Sequence, residues 1–181
     1  MVSFGCNENG TWAHYCGGAI VAENVIITAS HCFFKRRSGY KRLTQIRTGD
    51  QNFIDTTDDD LVATYEISSI IKHPEYQWPG RGAKHDLAIV FTKTRIEFNA
   101  NTNQISLPPI EEPIQQPNTN YSAEFSGYGF NDDTRTTSEA LRAADFTIFT
   151  GTYCEPWFGH RKIKEHLVNT SILMCAGTDV S

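Results

Sequence analysis

Short apolar runs rich in Val, Ile, Thr, Phe and Tyr alternate with turn-forming clusters along most of the chain, as β-strands do. Ala22-Glu23-Asn24 has the composition of a hairpin turn, and residues 160–169 are the one helix candidate, since Ile163 and Leu167 give a single narrow apolar face. Many short strands with almost no helix predict an all-β barrel or sandwich. The strands are predicted at about 17–21, 25–29, 43–48, 61–71, 87–92, 121–127, 142–149 and 172–176.

A proline-rich segment interrupts this pattern between the fifth and sixth of these strands. Four prolines within residues 108–119 exclude a helix or a central strand there, because proline lacks a backbone N–H. The segment is therefore predicted to connect two halves of the chain.

Composition narrows the class of protein. Of the 181 residues, 39% are hydrophobic and 20% are charged, which is typical of a packed globular protein. The net charge of -5 argues against nucleic acid or an anionic membrane surface as a main partner. The longest apolar runs are far too short to cross a bilayer.

The cysteines indicate an oxidising compartment. No two of them have the CxxC spacing of a zinc site, so they are interpreted as disulfide partners of an extracellular protein. Three short N-glycosylation sequons agree with this interpretation. The odd number of cysteines and an amino terminus unlike a signal peptide lead us to expect a piece of a longer protein. The five cysteines are Cys6, Cys16, Cys32, Cys154 and Cys175.

The most specific motif is Cys16-Gly17-Gly18-Ala19-Ile20 followed by Thr28-Ala29-Ser30-His31-Cys32. It resembles the trypsin/chymotrypsin family of serine proteases, in which a CGG strand leads into a T-A-A-H-C element. The resemblance implies that His31 is the catalytic general base and that Cys16 and Cys32 form a disulfide. A lone histidine is usually a surface or core residue, but the flanking cysteines and glycines favour the catalytic interpretation. Ser30 stands where the family has alanine.

A second motif, His85-Asp86-Leu87-Ala88-Ile89-Val90, resembles the D-I-A-L segment of the same family. The resemblance implies that Asp86 accepts a hydrogen bond from the second ring nitrogen of His31 and fixes its tautomer. Taken alone, an aspartate before an apolar run is more often a strand or helix cap. His85 is interpreted as a loop residue.

Three further segments resemble family motifs in the same order. Residues 71–76 are similar to I-x-H-P-x-Y, whose histidine, here His73, is structural. Residues 126–129 are similar to S-G-W-G, with Tyr128 in place of tryptophan. Residues 174–177 are similar to M-C-A-G, and the resemblance implies a disulfide between Cys175 and Cys154.

The resemblance implies two six-stranded antiparallel Greek-key barrels of the trypsin-like type, with the second barrel incomplete. Residues 1–107 would form the N-terminal barrel, residues 108–120 the connector and residues 121–181 the incomplete C-terminal barrel.

The nucleophilic serine of such a protease is expected beyond the last residue, within a G-D-S-G-G motif. Ser181 is rejected as nucleophile, because it lies too close to Cys175 and no glycines follow it. The chain alone is therefore expected to be inactive. Three accounts stay open: part of an active serine endopeptidase, an inactive homologue that acts as a secreted binding or regulatory protein, and a non-enzymatic β-rich binding module. Retention of both His31 and Asp86 favours the first.

The resemblance implies no cofactor, protein or peptide substrates, protein protease inhibitors as further partners and a monomeric state. One loop, containing Asp50 and Asp58-Asp59-Asp60, is a calcium candidate, because calcium prefers oxygen ligands. Three adjacent aspartates are more often a solvated turn, so no metal ligand is assigned.

Overall fold

The structure, a computed structural model, describes residues 1–34, 43–54, 59–77, 85–109, 121–130, 138–149 and 175–177. The chain divides into two compact units, taken here one at a time. The first comprises Met1–Pro79, Ala83–Leu107 and Gly127–Arg142, and the second Gly80–Gly82, Pro108–Ser126 and Ala143–Ser181. Within the described ranges, there is no helix with the length and apolar character that crossing a bilayer requires.

A closed antiparallel barrel forms most of the first unit, with its strands in the order β1-β2-β3-β6-β5-β4. The prediction of an all-β fold is thus confirmed. The strands are β1 (Val2–Glu8), β2 (Thr11–Ala22), β3 (Val25–Thr28), β4 (Gln45–Thr48), β5 (Ala63–Lys72) and β6 (Ala88–Thr92). A short 3₁₀ helix, Ser30–Phe33, follows β3, and a second one, Asp59–Leu61, precedes β5.

The barrel interior is filled by side chains that alternate along the strands with exposed ones, as the pleat of a strand requires. In β6, for example, Ala88 and Val90 are buried while Ile89 between them is exposed. Burial of this apolar surface is the main free energy that holds the barrel closed. The largest side chains with almost no exposure are Val2, Phe4, Ile20, Ile26, Ile46 and Val90.

Two hairpin turns close successive strands of the barrel. Glu23 and Asn24 join β2 to β3, as predicted. Asn9 and Gly10 join β1 to β2, with φ angles of 55° and 88°, the positive values that a two-residue type I′ turn requires. The Asn-Gly pair is a strong hairpin signal, so this turn could have been predicted from the sequence.

The second unit contains all but two terminal residues of a three-stranded sheet in the order β7-β8-β9. Its strands are β7 (Tyr121–Gly127), β8 (Arg142–Phe149) and β9 (Cys175–Gly177). The Phe125 and Phe146 rings pack edge to face with centroids 5.8 Å apart. The predicted helix at 160–169 and most of the predicted connector lie outside the described residues.

Candidate active site

Two neighbouring strands bring the motif residues together at one end of the barrel. Strands β3 and β6 pair antiparallel, and Thr28, the last residue of β3, is the partner of Ala88, the first residue of β6. His31 lies just after β3 and Asp86 lies just before β6. The barrel topology therefore places both residues at the same end, although they are 55 positions apart in sequence.

Asp86 contacts His31 through both of its carboxylate oxygens. Oδ2 lies 2.7 Å from the ring Nδ1 of His31, and Oδ1 accepts a hydrogen bond from the His31 backbone N–H at 2.8 Å. Since an ionised carboxylate only accepts, Nδ1 of the neutral ring carries the proton and Nε2 keeps its lone pair. The His31 side chain is 49% exposed. Nε2 therefore belongs to a ring that solvent and ligands can reach.

A disulfide fixes the segment that carries His31. The structure contains the Cys16–Cys32 bridge, with Cα atoms 6.3 Å apart, linking β2 to the 3₁₀ helix. The Thr28 hydroxyl donates to the Gly17 carbonyl at 2.7 Å, next to the bridge. The histidine is therefore held on both sides by contacts to β2.

Ser30 adds a direct connection between the two motifs. Its side chain has 0% exposure, and its hydroxyl donates to the Leu87 carbonyl at 2.6 Å. The same carbonyl accepts the backbone N–H of His73 at 2.8 Å. The sequence shows Ser30 only as a small residue in place of the family's alanine, and its hydroxyl is the signal that indicates this additional hydrogen bond.

Asp50, one residue of the calcium candidate, lies buried in the structure beside Arg47. This carboxylate is 6% exposed, with Oδ2 at 2.8 Å from Arg47 Nε and Oδ1 accepting from Asn52 N–H at 3.0 Å. The ion pair with Arg47 gives this carboxylate a structural role that needs no metal, and calcium binding stays a prediction. Asp58 lies outside the described residues, and Asp60 is exposed.

The second predicted disulfide stays a prediction, because Cys154 lies outside the described residues. Cys175 begins β9, which pairs with β8 through Phe149. The fifth cysteine, Cys6, lies on β1 with its sulfur 3.5 Å from Glu8 Oε1.

A closed six-stranded antiparallel barrel with a hydrogen-bonded histidine and aspartate at one end defines the class of chymotrypsin-like serine proteases. The sequence model of the family described as Trypsin matches residues 1–180. The chain therefore belongs to the trypsin family, as its motifs predicted.

Several characterised proteins are similar over most of this chain. It is 27% identical to CLIP domain-containing serine protease B4 of Anopheles gambiae, covering 93% of this chain and 47% of that protein. It is 28% identical to a venom serine protease of Polistes dominula, covering 80% of this chain and 50% of that protein. It is 29% identical to a trypsin of Simulium vittatum, covering 91% of this chain and 59% of that protein. The chain thus spans about half the length of these relatives.

Proposed function

We propose that this chain is part of a serine endopeptidase in which His31 is the general base and Asp86 orients it. The observation that carries the proposal is the double contact of Asp86 with the ring and the backbone N–H of His31. A general base needs a fixed ring, a defined tautomer and a ring that substrate can reach. The contacts with Asp86 support the first two, and the 49% exposure of the His31 side chain supports the third.

In the proposed reaction, Nε2 of His31 removes the proton of a serine hydroxyl while the serine oxygen attacks the peptide carbonyl carbon. The imidazolium that forms is stabilised by Asp86 and then protonates the leaving amine, which yields an acyl-enzyme. Water, activated by the same nitrogen, hydrolyses this ester. The chemistry uses no cofactor.

The nucleophile is proposed to be a serine C-terminal to Ser181 in the longer protein that includes this chain, called here the parent protein. The parent protein is proposed to act outside the cell as a monomer on protein or peptide substrates, with protein protease inhibitors as further partners. The Cys16–Cys32 bridge supports an oxidising environment, and the relatives include a protein named as a venom protease.

A serine-directed fluorophosphonate probe tests this proposal. The activated parent protein should be labelled stoichiometrically, and the 1–181 chain should not be labelled. In the parent protein, His31→Ala should lower kcat by about four to six orders of magnitude with little change in fold, because proton transfer is lost.

Each part of the proposal has its own contrary outcome. A folded parent protein that neither reacts with the probe nor cleaves peptides would instead be the inactive binding or regulatory homologue. Labelling of the 1–181 chain at a serine would show that the nucleophile does not lie beyond Ser181.

A further inference from the structure

A cluster of three ligand-bearing side chains lies beside the proposed active site. His73, Glu75 and His85 each offer one ligand atom, and these atoms all lie within 4.8 Å of one another. None of the three has a role in the proposed acyl-transfer chemistry. His85 directly precedes Asp86 in the sequence.

Backbone hydrogen bonds bring the two segments of this cluster together. The His73 N–H donates to the Leu87 carbonyl at 2.8 Å, and the Leu87 N–H donates to the His85 carbonyl at 2.8 Å. Glu75 lies in the turn after β5, where its N–H donates to Nδ1 of His73 at 3.2 Å. The fold therefore brings the two segments together, and the side-chain rotamers set the distances between the donor atoms.

Two imidazoles and one carboxylate are the ligands that divalent metals of intermediate softness, such as Zn²⁺, prefer. Two imidazoles and one carboxylate bind Zn²⁺ in sites that keep a further position for water, whereas Ca²⁺ and Mg²⁺ prefer oxygen ligands only. A second group of potential donors, Cys16, His31 and Cys32, lacks this chemistry, because both sulfurs are joined in the disulfide and cannot act as thiolates.

The two imidazole rings are close and nearly parallel. Their centroids are 4.7 Å apart and their planes differ by 13°. A metal lies near the plane of each ring that binds it, so at least one ring must rotate out of this stack to complete the site. Both histidines are only half-buried, and the Glu75 side chain is exposed, which leaves space for this adjustment.

We propose that His73, Glu75 and His85 bind a zinc-class divalent cation, with the remaining coordination position taken by water. With Zn–N distances of about 2.0–2.1 Å, neighbouring donors lie roughly 3.3 Å apart, so atoms now up to 4.8 Å apart must move together. Part of this movement displaces the His85–Leu87 backbone, because the Leu87 carbonyl is hydrogen-bonded to the His73 N–H.

Metal binding should therefore lower protease activity, a consequence that rests on the proposed function. The Leu87 carbonyl accepts the Ser30 hydroxyl next to His31, and Asp86 lies between His85 and Leu87. A displacement of Asp86 by even part of an ångström weakens the orientation of His31, and a 1 Å misplacement can cost about 100-fold in rate.

Titration of the parent protein with Co²⁺ tests the site, because tetrahedral Co²⁺ absorbs visible light and Zn²⁺ displaces it. His85→Asn removes one imidazole, and asparagine tolerates the positive φ of 54° at this position. It should weaken binding by about tenfold or more, since even loss of a group behind a metal ligand costs 10- to 100-fold. Glu75→Gln should also weaken binding, and His31→Ala should leave it unchanged.

Equal affinity of wild type and His85→Asn would overturn the site, as would loss of binding in His31→Ala. The activity measurement is separate: Zn²⁺ should lower kcat of the activated parent protein and have much less effect on His85→Asn. Binding without inhibition would overturn the coupling to Asp86 and leave the site standing. An inactive parent protein would refute the proposed function, and the Co²⁺ titration would still decide whether the site exists.

Discussion

At the scale of single residues, the Leu87 carbonyl joins three parts of the proposed active site. It accepts the Ser30 hydroxyl at 2.6 Å and the His73 N–H at 2.8 Å, and it follows Asp86 directly in the chain. Ser30 is completely buried, so its hydroxyl makes this bond without competition from water. We infer that Ser30 is a positioning residue that keeps the His31 segment in register with Asp86.

Replacement of Ser30 by alanine tests this inference in the activated parent protein. The variant should lose about 1 kcal/mol of stability, the net value of one hydrogen bond, because the Leu87 carbonyl keeps His73 as a donor. It should lower kcat by roughly tenfold with KM nearly unchanged, less than the ~100-fold cost of a 1 Å misplacement.

A matched control is Ser68→Ala, because the Ser68 hydroxyl likewise donates to a backbone carbonyl, that of Phe91 in β6, at 3.2 Å. This variant should leave kcat and KM unchanged. Identical kinetics for Ser30→Ala and wild type would show that the buried hydroxyl contributes only to stability.

At the scale of the strands, the two glycines of the CGG motif have different reasons to be glycine. A Cβ added at Gly18 would lie 2.8 Å from a ring carbon of Phe4 and 3.0 Å from the Ile27 carbonyl oxygen. A Cβ added at Gly17 would meet nothing closer than the Val2 carbonyl oxygen at 4.0 Å. The close packing of β2 on its neighbours therefore requires glycine only at the second position.

This difference predicts that glycine-to-alanine substitutions at the two positions change the stability of the parent protein by different amounts. Gly18→Ala should lower the free energy of unfolding by about 1–3 kcal/mol, because buried Phe4 and the β3 backbone must shift. Gly17→Ala should change it by no more than about 0.5 kcal/mol. Denaturant unfolding measures both values, and equal midpoints for the two variants would contradict the packing argument.

Much of the strand pattern could be predicted from apolar runs, including the bounds of β7 and β8, but the length of β2 could not. β2 runs from Thr11 to Ala22, whereas the predicted strand began at residue 17. Its first half contains His14 and Tyr15, which do not give a simple apolar alternation and are held by pairing with β1. The pairing of His31 with Asp86 followed from the resemblance, but the Ser30 bond and the His73–His85 stack depend on tertiary contacts that no local pattern encodes.

At the scale of the first compact unit, a buried polar network links the barrel to the segment Gly127–Arg142. Trp12 Nε1 donates to the Ser3 hydroxyl at 2.7 Å, and that oxygen lies 2.7 Å from Nδ1 of His14. The His14 ring packs on Phe53 and Tyr128, with centroids 5.8 and 5.0 Å away.

Tyr128 completes this connection to the barrel. Its hydroxyl donates to the Asp50 backbone carbonyl, and burial raises the pKa of that hydroxyl. Tyrosine thus supplies a hydrogen bond at the position where the family has tryptophan, and the substitution is accommodated by the Asp50 loop.

Burial lowers the pKa of His14 below its usual value of 6.5. Its geometry agrees, since Ser3 Oγ accepts from Trp12 and is thereby left to donate to an unprotonated Nδ1. The unfolded state then binds more protons than the folded state just below pH 6.5, so the free energy of unfolding falls as the pH drops through that region.

Denaturant unfolding of the parent protein between pH 5 and pH 8 measures this effect. His14→Asn keeps an acceptor for the Ser3 hydroxyl and removes the titrating ring, so its stability should depend less steeply on pH than that of wild type. Parallel pH profiles for the two proteins would show that His14 is not the group responsible.

The pairing of β3 with β6 has a consequence for the variability of the protein. His31 and Asp86 are set by this ladder and by the disulfide, while the chain between them leaves the ladder after Thr28 and forms β4 and β5 before it returns at Ala88. Closing a flexible loop costs only about 0.6 kcal/mol more for each doubling of its length. Insertions in the connections between these strands can therefore reshape the surface around the pair at little cost to folding, which leaves recognition free to diverge while the proton-transfer geometry stays constant.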